Sequence, residues 1–125
     1  MSATTNAGIA ERFLLMCASG QVREAYGLYV ADDFRHHNAY FQADRESLLL
    51  GMEQSAQAEP NKSFTIKQTI ESGDRVVMLS HLRREQADVD IAVMHILRFE
   101  GSRIVEMWDV GQVIPKESPN AVGMF

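Results

Sequence analysis

The chain has a single cysteine, Cys17, so no internal disulfide can form and no cysteine set exists for a structural zinc site. Cys17 lies in an apolar helical pattern and reads as a core residue rather than a nucleophile. Positive charge is also short. Twelve Lys and Arg against 17 Asp and Glu give a net charge of -5, and nucleic acids and anionic membranes both require a basic patch. No apolar run approaches the roughly 18 residues of a membrane span, and the N-terminus lacks a basic-then-apolar leader. A cytoplasmic location is the expectation. None of the 4 histidines forms a helical His-x-x-x-His pair, so no metal site is expected.

What is present is ordinary for a globular protein: 46% apolar and 23% charged residues in a length of 125, which suits one domain over residues 1–125. Ile9, Phe13, Met16 and Cys17 recur at helical spacing before Ser19-Gly20, predicting a helix from about Ala7 to Ala18. Val22, Ala25, Tyr26, Tyr29 and Val30 predict a second, short helix that ends near Asp32-Asp33. Asp44 can cap a third, with Leu48, Leu49, Met52 and Ala56 on one face before Pro60. Four strand-like runs follow, at 63–71, 75–84, 89–99 and 103–113, joined by Ser72-Gly73-Asp74, Glu85-Gln86-Ala87-Asp88 and Glu100-Gly101-Ser102. Helices followed by an antiparallel meander define an α+β class in which a pocket can open between sheet and helices.

Strand alternation locates the polar groups that could face that pocket. In 89–99, Asp90, Ala92, Met94, Ile96 and Arg98 share one face, and Ile91, Val93, His95, Leu97 and Phe99 share the other. The charged ends mark the first face as outer, so His95 points inward. With a three-residue loop, Phe99 pairs with Arg103, His95 lies opposite Met107, and Asp109 is one diagonal step away on the pocket face. A two-residue loop instead sets Trp108 opposite His95. The run Val76 to His81 is apolar on both sides and leaves the direction of His81 open. Arg35-His36-His37-Asn38 lies where a helix gives way to an extended or irregular segment, with one histidine turned in and its neighbour out. His37 is the pocket candidate and His36 the solvated neighbour.

Phe34-Arg35-His36-His37-Asn38, His95-Ile96-Leu97-Arg98-Phe99, Ile104 to Gln112, and the ending Pro119-Asn120 to Gly123-Met124-Phe125 together resemble the SnoaL-like polyketide cyclases of the nuclear transport factor 2-like superfamily. The resemblance covers nearly the whole chain. It implies a cone-shaped α+β barrel of three N-terminal helices on a curved, mostly antiparallel sheet, and a homodimer packed through the outer sheet face. It further implies ring closure by aldol condensation of a small-molecule substrate without metal or organic cofactor, with Asp109 matching the family's pocket aspartate. The chain departs from the pattern at Met107, where many relatives carry histidine, and at His95, where they carry aspartate. A steroid isomerase of the same superfamily has a protonated aspartate matching His95, a tyrosine matching Phe13 and a basic aspartate matching Asn38, so that activity is disfavoured.

The residues themselves suggest proton transfer at a carbon beside a carbonyl. Asp109 is the expected base, with His95 or His37 donating a hydrogen bond or proton to the enolate oxygen. His81 and Asn38 are expected as polar substrate contacts, and Met107, Phe13 and Tyr26 as apolar ones. The alternative is a non-catalytic small-molecule binding module, because the same fold offers a pocket whether or not the pocket reacts.

Overall fold

The computed structural model describes residues 5–125. Helix α1 (Asn6–Ala18) starts where the Thr5 side chain accepts the Gly8 N–H, and its buried face carries Ile9, Phe13, Leu14, Met16 and Cys17. Helix α2 (Val22–Tyr29) buries Val22, Ala25 and Tyr26. Helix α3 (Arg45–Ala58) is capped by Asp44, whose carboxylate accepts the Ser47 N–H and hydroxyl at 2.9 and 2.7 Å. These hydrogen bonds hold the Asp44 carboxyl below its ordinary range. No helix among the described residues is long and apolar enough to cross a membrane.

The helices cover one face of a sheet built from β1 (Val30–His37), β2 (Ser63–Ser72), β3 (Arg75–Arg84), β4 (Val89–Glu100) and β5 (Arg103–Val113), in the order β1-β5-β4-β3-β2. All neighbouring pairs are antiparallel except β1 with β5. This is the expected α+β cone, three helices on a mostly antiparallel sheet. It has five strands where the sequence predicts four, because the second helix stops at Tyr29 and the chain continues directly as β1. Arg45 fixes that crossing: its guanidinium lies over the Tyr26 ring and donates to the Tyr26 carbonyl at 3.1 Å.

Between helices and sheet, Phe13, Tyr26 and Phe34 form a fully buried aromatic chain, with ring centroids 5.4 and 6.1 Å apart. Leu48, Leu49, Val76, Met78, Leu97, Phe99, Ile104 and Met107 complete the core. Burying a side chain of this size stabilises by about 1.5–3 kcal/mol before entropy is charged against it. This cluster plugs one end of the cone and leaves the other end to enclose space.

The β4–β5 hairpin follows neither of the predicted registers. Glu100 pairs with Arg103 across a two-residue turn in which Gly101 adopts φ 62°. The pairing then shifts: Phe99 opposes Ile104, but Arg98 opposes Glu106, leaving Val105 as an extra residue in β5. Both Ile104 and Val105 are buried, as expected where a bulge turns two successive side chains to one side. The bulge restores the inward parity that a two-residue loop alone would reverse. His95 therefore pairs directly with Asp109, while Trp108 pairs with Ile96 on the outer face.

Candidate functional site

The open end of the cone encloses a cavity of about 710 Å³. Leu14, Cys17, Met52, Phe64 and Val93 supply apolar wall, and Asn38, His95 and Asp109 form a polar group on it. Burial pushes the Cys17 thiol up to about 12, so it is a neutral wall residue.

Asp109 and His95 face each other across the β4–β5 ladder, with Nε2 of the imidazole 3.8 Å from Oδ1 of the carboxylate. That separation exceeds a hydrogen bond but couples the two groups electrostatically. Desolvation lowers the His95 pKa, and the Asp109 charge opposes the shift. The imidazole stands neutral in its apolar surroundings, with Phe64 edge-on to it at 6.2 Å. His95 Nδ1 and, two positions along the inner face of the neighbouring strand, Ser80 Oγ are both buried without a hydrogen-bond partner among the described residues.

Asn38 completes the group. Its Nδ2 donates to Asp109 Oδ2 at 2.9 Å, and its Oδ1 accepts the Tyr40 N–H at 2.9 Å. The amide thus holds one carboxylate oxygen and leaves Oδ1 on the side of His95. His36 secures the loop that presents Asn38. It is 3% exposed, its Nε2 donates to the Gln42 carbonyl, and its Nδ1 accepts the Asn38 N–H at 3.2 Å. Phe41 of the same loop lies where a Cβ on Gly51 of α3 would stand, so glycine there lets the loop seat against the helix.

The histidine pair is therefore oriented opposite to expectation. His37 stands outside the cavity, stacked on Trp108 at 4.9 Å and donating to Glu106 Oε2 at 2.7 Å. Glu106 also accepts from Arg98 at 3.0 Å, and these partners, His37 foremost, hold its carboxyl below the ordinary range. His81 likewise faces out, bonded to Asp90 at 2.7 Å and stacked on Phe125. Phe13, Tyr26 and Met107 point inward but belong to the plug beneath the cavity rather than its wall. Of the expected site residues, Asp109, His95 and Asn38 converge on the cavity.

Sequence reasoning passed over the polar groups on the other side of the cavity. Lys62 Nζ donates to Ser55 Oγ at 2.6 Å, and Arg84 grips Glu59 through three contacts of 2.8–3.1 Å. Lys62, Ser55 and Arg84 line the space, yet no periodic pattern marks them, since Lys62 lies in the short connection before β2. Among the described residues no group of three His, Cys, Asp or Glu side chains is placed to hold a metal ion.

The fold recurs in solved structures. IdmH of Streptomyces antibioticus, described as a candidate polyketide cyclase, superposes with a TM-score of 0.72 at 21% identity over 86% of this chain and 91% of its own. An NTF2-like protein of unknown function from Cytophaga hutchinsonii gives 0.72 at 12% identity over 89% and 93%. A candidate SnoaL-like polyketide cyclase from Shewanella putrefaciens gives 0.68 at 17% identity over 85% and 79%. At such identities the likeness establishes the fold alone. No curated protein sequence matches the chain. The SnoaL-like domain family matches residues 10–107, which takes in most of α1, all of α2 and α3, β1 to β4 and the bulged start of β5, and the chain belongs to that family.

Proposed function

We propose that the protein is a cofactor-independent enzyme that moves a proton at a carbon next to a carbonyl of a small, largely apolar substrate, in the manner of an aldol-type cyclase. The observation that carries this reading is the convergence of Asp109, oriented by Asn38, with a neutral, buried His95 on one cavity wall. Oδ1 of Asp109 takes the α proton and the electron pair of the C–H bond passes into an enolate. The Nε2–H of neutral His95 donates a hydrogen bond to the enolate oxygen, which a desolvated site makes worth more than in water. The enolate carbon then forms a bond to a second carbonyl carbon of the same molecule, and the protonated carboxyl of Asp109 returns its proton to the new alkoxide. His37 has no part in this scheme, because it faces away from the cavity.

The test needs no knowledge of the natural substrate. Exchange of the α protons of 2-tetralone in D2O, followed by proton NMR, should run faster with the wild-type protein than in buffer, and should fall to the buffer rate with Asp109→Asn, folding being checked by circular dichroism. Equal exchange by the two proteins would remove Asp109 from the role. Binding of 2-tetralone without faster exchange would favour the non-catalytic binding module.

The same reading extends to assembly as a homodimer through the outer sheet face. Two apolar rows cross that face in register, Ile70-Val77-Ile96-Trp108 and Leu79-Met94-Val110. Ile70, Met94 and Val110 are exposed in the single chain, and a second copy would cover them.

A further inference from the structure

Asp109 and Lys62 line the same cavity but belong to different walls. Asp109 is on β5 and Lys62 immediately precedes β2, so β4 and β3 lie between them. Three strand spacings amount to on the order of 14 Å along the curved sheet. The two ends also differ in charge. At the Lys62 end, the carboxylate of Glu59 is taken up by Arg84, which leaves Lys62 with the neutral Ser55 hydroxyl as its hydrogen-bond partner among the described residues. Lys62, Arg84 and Glu59 together retain one net positive charge beside an apolar wall of Leu14, Met52 and Phe64. Burial, foremost, lowers the Lys62 pKa, with the Glu59 charge opposing the shift and the Arg84 charge adding to it.

We infer that Lys62, braced by Ser55, is an anion-recognition subsite, and that the ligand of this cavity is an amphipathic organic acid. Its carboxylate, or an equivalent anionic oxygen group, sits on the ammonium while its apolar body runs along the cavity toward Asp109. The inference deepens the functional reading above and rests on that cavity being the ligand site. It adds a rule of selection. A carbonyl compound with an anionic group remote from the reacting carbon is bound with its charge on Lys62 and away from the Asp109 carboxylate, so one binding direction is favoured.

The probes are 2-naphthoate and its uncharged counterpart 2-naphthamide, titrated calorimetrically, with amide shift mapping to locate the bound molecule. The wild-type protein should bind the carboxylate at least about fivefold more tightly than the amide, with shifts centred on Ser55, Lys62 and Phe64. Lys62→Met should abolish the preference by weakening the carboxylate, and Lys62→Arg should keep most of it. Equal affinities in the wild type, no detectable carboxylate binding, shifts outside the cavity, or a preference that survives Lys62→Met would each overturn the subsite. Because the readout is binding, its failure is distinct from a failure of Asp109→Asn to change α-proton exchange.

Discussion

Asn38 and Asp109 are 71 residues apart in the chain, and the side-chain amide of one holds a single oxygen of the other at 2.9 Å. The bond joins the loop after β1 to the inner face of β5. It selects which carboxylate oxygen remains available to a ligand. Hydrogen bonds to charged groups contribute about 1.5–3 kcal/mol, so Asn38→Ala should slow α-proton exchange by roughly tenfold to a hundredfold. The loss should appear mainly in the turnover rate rather than in probe affinity. An unchanged rate would reduce Asn38 to a loop anchor.

His95 should leave a mark on the pH dependence of stability. Its folded-state pKa is depressed by burial below the ordinary value of 6.5, with Asp109 opposing. The unfolded chain therefore binds the proton more readily, and the stabilising contribution is complete above the unfolded pKa and is lost as pH falls through the folded one. The melting temperature should fall between pH 7.5 and pH 5, and His95→Phe should flatten that slope. Glu106 and Asp90, whose carboxyls are held down by their hydrogen-bonded partners, act in a separate window below their ordinary carboxylate values. A slope that is the same in His95→Phe would place the titrating group elsewhere.

Phe13 belongs to the core rather than to the cavity. It is fully buried against Tyr26 and is absent from the cavity wall. Phe13→Ala should destabilise the protein by about 3–5 kcal/mol in urea denaturation. Below the unfolding transition its affinity for 2-naphthamide should match the wild type. A selective loss of that affinity with stability intact would return Phe13 to the binding wall.

The outer face should reveal itself in hydrodynamics. Leu79 and Met94 pair across β3 and β4 in the middle of its apolar rows. If a second copy covers them, Met94→Glu should convert a dimer to a monomer in sedimentation velocity. A wild-type protein that sediments as a monomer at high micromolar concentration would leave those rows without the proposed partner.

The sequence carried the three helices through their apolar period and four of the strands through strand-like runs bounded by turn residues. It hid β1, where Ala31-Asp32-Asp33 interrupts any alternation and the strand is held by pairing with β5 rather than by its own pattern. That omission reversed the histidine pair. Once β1 is known, buried Phe34 dictates that His36, two positions on, turns in and His37 turns out. The direction of His81 was within reach. Asp90 lies on the outer face, and pairing across the 85–88 connection puts His81 on the same side through Ala92. Lys62 was not legible, because its place on the cavity depends on how the connection from α3 to β2 passes the sheet edge.

Val105 carries a consequence for how such hairpins diversify. Regular pairing of the same residues from the two-residue turn, with no bulge at Val105, would set Trp108 opposite His95 and exchange the two sides of the strand beyond. Trp108 would be delivered to the interior and Asp109 to the surface. The acid is thus specified by an arithmetic of odd and even positions counted from the turn, and a shift of pairing by one residue would abolish it as completely as replacing the aspartate itself.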